Sequence, residues 1–347
     1  MEARFILSKR KVLEQYNKLK NLGVDISYSY KTNKEVGNIL QELIDCDFSI
    51  HNFEEIEMIN NKNKILFFSQ AWNKEEIKKI LLFGVKNLVI DNEVDLNLLL
   101  EVIKKEKIKV NINLRMKFKE HRIGSGKYFV YGMPSKKINE IINEIKDHQF
   151  VEKIGVHLHR KSQNTSEWDM IREIKDSLTE KNLERINQIN LGGGLPIKYK
   201  TSSVKIMPYI FEKIKHTVDF LKDYNIKTII EPGRFIAGPS IKLETEIIQI
   251  YENIIVLNCS IYNSAIDTVI TNIKLLVEGE LSENSKIGKY YLIKGITPTR
   301  DDIFRYKVKL DNPKVGDKII FLNAGAYNWA SDFCCLKKLK TEIIEYF

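Results

Sequence analysis

V-D-I-S-Y-S-Y-K-T-N, residues 24–33, is a β-branched, apolar run (Val24, Ile26, Tyr28) that gives way to a helical pattern, with Lys31 standing at the join. Such a run followed by helix spacing reads as one strand and the helix after it, which puts a lysine at the carboxyl end of the strand. Comparable runs recur along the chain at residues 47–50, 65–69, 87–90, 110–114, 154–159, 189–191 and 227–230. Helical spacing fills most of the gaps, as in Ile77, Ile80 and Leu81, in Leu96, Leu99, Leu100 and Ile103, and in Ile138, Ile141, Ile142 and Ile145. Alternating strands and helices demand parallel pairing with right-handed crossovers, and eight units without a long break is the number that closes a barrel. The expected fold class is therefore α/β, a (β/α)8 TIM barrel over residues 20–237.

Beyond Gly238 the helical spacing stops. Runs of strand character take over at residues 241–251, 254–257, 273–278, 290–294, 307–310 and 318–321, with turn signals such as Asp311-Asn312-Pro313 and Gly316-Asp317 between them. A mostly β C-terminal domain is expected at residues 238–347. A short opening strand and helix, residues 1–19, are left over by the barrel count and are assigned to the same domain.

With 347 residues and 43% hydrophobic content, the chain can bury a large core. No segment reads as a signal peptide, because residues 1–20 are charged throughout, and no apolar run approaches the roughly 18 residues of a membrane helix. A cytoplasmic protein is expected, with no membrane partner. The four cysteines, Cys46, Cys259, Cys334 and Cys335, show neither a C-x-x-C pair nor metal-ligand spacing, so reduced thiols and no metal site are expected. The net charge of +9 comes from lysines scattered along a chain also rich in asparagine and isoleucine. No arginine-rich stripe interleaves with aromatics, and nucleic-acid binding is not expected.

Function in such barrels gathers at the carboxyl ends of the strands. The first end carries Lys31. The sixth carries G-V-H-L-H-R-K-S-Q from Gly155, the seventh L-G-G-G-L-P from Leu191, and the eighth E-P-G-R from Glu231. Singly, these read as a solvated lysine, a packed histidine with a polar neighbour, and two tight turns. Together they bring a lysine, an imidazole, glycine-bared backbone, an acid and an arginine to one rim. Pyridoxal phosphate asks for that set: an amine for its aldehyde, N–H groups, a hydroxyl and an arginine for its phosphate, a carboxylate for its ring nitrogen, and a stacking partner for one face.

At these residues the chain resembles the fold-type III pyridoxal-phosphate decarboxylases, the group of ornithine, arginine and diaminopimelate decarboxylases, whose relatives include alanine racemase. F-S-I-H-N-F-E-E-I-E from Phe48 is similar to the family's second-strand motif, I-N-L-R from Ile112 to its fifth, and N-A-G-A-Y from Asn323 to its late G-A-Y motif. The resemblance implies a barrel followed by a β domain, a homodimer with active sites at the interface, and a small amino-acid substrate. By position it implies that Lys31 carries the Schiff base and that His159 stacks on the ring. Ser162, Gly193, Gly194, Gly233, Arg234 and Tyr327 would cup the phosphate, and Arg115 would be a further residue of the site. Glu231 would pair with the pyridinium and so stabilise a carbanion. A racemase of this fold places an arginine where Glu231 stands, which favours decarboxylation; racemisation or other Cα chemistry, and a non-catalytic cofactor-binding or regulatory homologue, are the alternatives.

Several positions depart from the family. Its G-P-T-C-D-S motif corresponds here to G-I-T-P-T-R-D-D from Gly295, with Pro298 at the proton-donating cysteine and Thr299 at a substrate-binding acid. Cys259 falls where a second such acid is usual. Without these acids, and with Arg300 and Asp302 close by, the expected substrate is an atypical amino acid with an acidic or polar distal group, bounded by Cys259, Thr299, Arg300 and Asp302. Lys161 replaces a glycine beside Ser162, Ser49 replaces a common aspartate, and Lys127 is a candidate in a blurred motif. The proton donor is left among Cys259, Tyr262, Cys334, Asp332 and water.

Overall fold

The computed structural model describes residues 1–118, 131–328 and 335–347. Strand β1 (Arg4–Ser8) and a helix (Lys9–Lys20) precede the barrel. Its wall consists of β2 (Asp25–Ser29), β3 (Asp47–Ile50), β4 (Ile65–Ser69), β5 (Asn87–Ile90) and β6 (Val110–Lys117). A two-residue strand, β7 (Met133–Pro134), attaches to the end of β6. The wall then continues through β8 (Val151–Leu158), β9 (Gln188–Asn190) and β10 (Lys227–Ile230). All pairings are parallel, and the cylinder closes where β10 meets β2 and β5 meets β6. The eight expected strands are the eight observed.

The reason is legible in β6. Ile112, Leu114 and Met116 are buried on the helix-facing side of the wall, while Asn111, Asn113 and Arg115 alternate with them on the inner side. Barrel interiors are usually filled by branched aliphatic residues; this one carries Ser27, Ser49, Asn113, His157, Gln188 and Asn190. Asparagine also ends the first four rim loops. Asn33, Asn52, Asn73 and Asn92 each accept a backbone N–H as the N-cap of the following helix. At about 1 kcal/mol per cap, these four side chains help set where each rim loop stops.

The second sheet joins β11 (Ile241–Tyr251), β12 (Ile254–Leu257), β13 (Leu276–Val277), β14 (Lys289–Lys294), β15 (Ile303–Leu310), β16 (Lys318–Leu322) and β17 (Lys340–Ile344). Its order is β13-β16-β11-β12-β14-β15, and β1 lies antiparallel to β11 and parallel to β17. The opening strand thus belongs to this sheet, as expected, while β17 was not anticipated. Two bonds fasten the sheet's late loop to the Lys31 turn: the Tyr327 N–H donates to the Thr32 carbonyl at 3.0 Å, and Asn33 Nδ2 to the Gly325 carbonyl at 2.9 Å. Among the described residues no helix is long and apolar enough to cross a membrane.

Candidate active site

A cavity of about 700 Å³ opens at the carboxyl ends of the barrel strands, and Lys31, Arg115, His159, Glu231, Arg234 and Tyr327 all face it, with Ser162, Gly193, Gly194 and Gly233 completing the expected set. The rim therefore brings together every residue expected to touch the cofactor.

Glu231 follows directly on β10 and is buried, yet it is ionised. Burial alone would raise its pKa; the neighbouring His157, together with three hydrogen bonds, holds it down to about 2. Ser49 Oγ and Asn190 Nδ2 donate to Oε1, both at 2.9 Å, and His157 Nε2 lies 3.1 Å from Oε2. Ser49, noted in the sequence only as a replaced aspartate, and Asn190 and His157, assigned no role there, are the residues that keep this carboxylate charged. Inward-facing polar residues on successive strands were the available signal.

Lys31 reaches into the cavity, where enclosure lowers its ammonium pKa against the opposing pull of Glu231 and Glu55. His159 is held to about 4, by burial first and then by His157, so it is neutral near pH 7. The Gly193 N–H donates to its Nδ1 at 3.3 Å, which places the ring hydrogen on Nε2. His51, at the end of β3, was not anticipated. It stacks on Phe68 with centroids 4.9 Å apart, and burial, followed by Lys31, lowers it to about 4.

At the glycine end the loops approach as closely as backbone allows. A Cβ on Gly193 would lie 2.6 Å from the Glu231 carbonyl oxygen, and one on Gly233 only 2.0 Å from Thr32 Oγ1. The E-P-G-R turn can therefore lie against the Lys31 turn only with glycine there. Tyr327 lines the same end in a left-handed conformation, φ 61°. A bare-backbone end, a lysine, an ionised acid and a neutral imidazole fit a phosphorylated pyridine aldehyde. Two details differ from the expectation: the Gly193 N–H is engaged by His159, and both ends of the Arg234 guanidinium are held, Nη1 by Tyr199 and Asp267 and Nη2 by Asp267.

Arg115 lines the cavity beside Asp91, with Nη1 3.0 Å from Oδ1. The four substrate candidates do not line it. Asp302 is fully buried and spends its carboxylate on the Ile261 and Thr297 N–H groups and the Thr297 hydroxyl, which corrects its expected substrate role: it folds the loop that carries it. Cys259 is sealed in the β domain, its thiol pushed up to about 12 by burial, so it is neither at the cavity nor a ready proton donor. Thr299 and Arg300 are exposed on the same loop. Tyr262 lies off the cavity, and Lys127, Asp332 and Cys334 fall outside the described residues.

Comparison with known proteins agrees with this arrangement. Residues 9–238 match the family model for the pyridoxal-dependent decarboxylase, pyridoxal binding domain. The chain is 24% identical over 273 residues to the diaminopimelate decarboxylase of Aquifex aeolicus, an alignment covering 73% of this chain and 61% of the relative. The chain thus spans about three fifths of that curated relative's length. Diaminopimelate decarboxylase from Helicobacter pylori complexed with L-lysine superposes with a TM-score of 0.84 at 20% identity, covering 99% of this chain and 92% of that one. Lysine decarboxylase from Selenomonas ruminantium does so with a TM-score of 0.83 at 17% identity, with the same coverage. The matched domain spans well over half of the chain and contains the lysine, the imidazole, the glycine loops and the ionised acid described above, and the protein belongs to the pyridoxal-dependent decarboxylase family.

Proposed function

We propose that this chain is a pyridoxal-phosphate-dependent decarboxylase, a carbon–carbon lyase, acting on an atypical amino acid whose distal group is acidic or polar. The observation that carries the reading is Glu231, its carboxylate held by Ser49, Asn190 and His157, in the cavity into which Lys31 projects. Bound there, pyridoxal phosphate supplies an aldehyde that condenses with amines and a ring that draws off the electron pair left when the α-carboxylate departs.

The chain's own groups supply the rest. Lys31 holds the aldehyde, and its lowered pKa increases the share of neutral, nucleophilic amine. Glu231 stays negative and so holds a proton on the ring nitrogen, the state in which the ring accepts electrons best. His159, neutral and fixed in one tautomer, covers a ring face without adding positive charge. Ser162, the Gly194 and Gly233 backbone, Tyr327 and Arg234 form the phosphate end, and Arg115 lines the wall.

The reading takes residues 20–237 as the cofactor barrel and 1–19 with 238–347 as a β domain that shapes the site and dimer. Thr299 and Arg300 lie outside the chain's own cavity, so in this proposal they act in the cavity of a second protomer. There, a cation with no neighbouring family acid suits a distal carboxylate better than a distal ammonium.

The experiment is CO2 trapping over a panel of amino acids with acidic, polar and basic distal groups, with chiral analysis of recovered substrate. Release of CO2 from acidic or polar members supports the proposal. Racemised substrate without CO2 overturns it in favour of Cα inversion. A purified protein that takes up no cofactor, or a Lys31→Ala protein that retains the chromophore, removes Lys31 from its role. For the shared site, Lys31→Ala and Arg300→Ala protomers, each weak alone, should recover activity when co-assembled.

A further inference from the structure

We propose that Ser27 and Ser49 form a proton relay that reaches Glu231 from the amino-terminal mouth of the barrel, opposite the active-site cavity. The proposal rests on the reading that Glu231 faces the cofactor's ring nitrogen.

A second cavity, of about 200 Å³, lies at the amino-terminal ends of the strands, lined by Ser27, Asp47, Lys64, Asn111, Lys153 and Gln188 among others. At roughly 30 Å³ per molecule it has room for several waters, and its walls are polar enough to bind them. Asn111 Oδ1, on that wall, is buried without a protein partner, the kind of acceptor that a bound water satisfies. From this cavity one hydrogen-bonded path climbs through the barrel. Ser27 Oγ lies 2.7 Å from Ser49 Oγ, and Ser49 Oγ donates to Glu231 Oε1 at 2.9 Å. Both serines are 1% exposed, so the path is insulated from bulk water except at its lower end.

The direction of the path follows from counting hydrogens. A serine has one hydroxyl hydrogen, and that of Ser49 goes to Glu231, so in the contact between the serines Ser27 is the donor. The lone pairs of Ser27 are then open to a proton from the lower cavity. In one transfer, a hydronium ion in the lower cavity gives its proton to Ser27 Oγ and is left as neutral water, Ser27 passes its own hydrogen to Ser49, and Ser49 passes its hydrogen to the carboxylate. Both hydroxyls end neutral, and Glu231 has gained one proton, which it can exchange with the ring nitrogen.

The other two donors to Glu231 do not lead to the lower mouth. Asn190 is an amide, which holds its N–H hydrogens, and its Oδ1 accepts from the Gly192 N–H. His157 lines the upper cavity itself, and its Nδ1 is buried without a partner. A cofactor held by Lys31 lies in the upper cavity, so the serine path supplies protons without requiring the site to open.

The test is a stopped-flow pH jump on cofactor-loaded protein, following the absorbance of the bound cofactor. Ser27→Ala keeps the bond from Ser49 to Glu231 but cuts the relay; we expect unchanged spectra before and after the jump, with relaxation slowed about tenfold or more. Ser27→Thr, which keeps the hydroxyl, should restore the rate. A Ser27→Ala protein that relaxes at the wild-type rate overturns the relay. Glu231→Gln separates the two levels: if it leaves the cofactor's pH-dependent spectrum unaltered, the facing of Glu231 to the ring nitrogen is wrong and the relay falls with it. If Glu231→Gln alters that spectrum while Ser27→Ala relaxes normally, only the relay is lost. Thermal melts of each variant confirm that it is folded.

Discussion

Asp267 holds the guanidinium of Arg234 at both ends, Oδ2 to Nη1 at 2.6 Å and Oδ1 to Nη2 at 3.2 Å, with both side chains buried. The arginine proposed above for the phosphate end thus has a built-in counter-ion, and this raises its already high pKa further. Asp267→Asn leaves the buried cation uncompensated, which costs about 3 kcal/mol in the cofactor-free protein. A phosphate dianion would then be its main counter-charge. Melting curves with and without pyridoxal phosphate should show a lower midpoint for the free variant and a larger gain on loading than in the wild type. Equal gains would show that Arg234 and the phosphate do not meet.

Glu231 predicts an acid limb of stability. Its folded pKa of about 2 lies below the ordinary 4.5, so the folded state favours the deprotonated form. The stability this contributes is fully present above about pH 5 and is lost as pH falls toward 2; the displacement corresponds to on the order of 3 kcal/mol. Denaturant unfolding of cofactor-free protein between pH 5 and pH 2.5 should show that loss, and Glu231→Gln should flatten it.

Lys31 moves stability in the same direction with pH, for a different reason. Its folded pKa is lowered, so folding penalises the protonated amine, and the penalty lifts as pH rises through that folded value. Cofactor capture needs the neutral amine. Its rate should therefore climb with pH, with a midpoint below the roughly 10.4 of a free lysine. Absorbance after mixing with pyridoxal phosphate measures it, and Lys31→Ala should show no such phase.

Asp302 separates a structural acid from a substrate-binding one. Its removal leaves the Ile261 and Thr297 N–H groups and the Thr297 hydroxyl without their acceptor inside a closed loop. Asp302→Ala should destabilise the protein by about 2–4 kcal/mol in denaturant unfolding. A selective rise in KM at unchanged stability would return Asp302 to the site.

Arg300 should behave in the other way. Exposed on the same loop, it contributes little to the fold, so Arg300→Ala should leave the melting midpoint within about a degree while raising KM far more than it lowers kcat. Unchanged kinetics with the true substrate would exclude it.

The parts of this molecule that were legible in its sequence are those that periodicity or backbone chemistry leaves in the chain. The alternation in V-N-I-N-L-R-M-K marks β6 and aims Arg115 inward, and the join after Tyr28 marks Lys31. Glycines at positions 193 and 233 announce close approaches that a Cβ would block. Asp267 left no such trace: it sits in a four-residue helix of the β domain, and only the packing of that domain on the barrel brings it to Arg234. Asp302 misled for a related reason. An acid beside an arginine looks the same in sequence whether it faces a ligand or its own loop's N–H groups. The strand β17, K-T-E-I-I, carries too little alternation to declare itself; its position depends on β1.

That dependence orders how the protein can be made. Ser8 donates to the carbonyl of Glu345, a residue 337 positions along the chain, and β1 is bordered on its two sides by β11 and β17. On the ribosome the barrel that carries Lys31 can close while β1 still waits for both neighbours, a bare strand edge of the kind that seeds association between nascent chains. The Lys9-Arg10-Lys11 cluster directly behind β1 places like charges on every copy during that wait. Neutralising those three residues should lower soluble yield in rapid expression more than it lowers the stability of protein already folded.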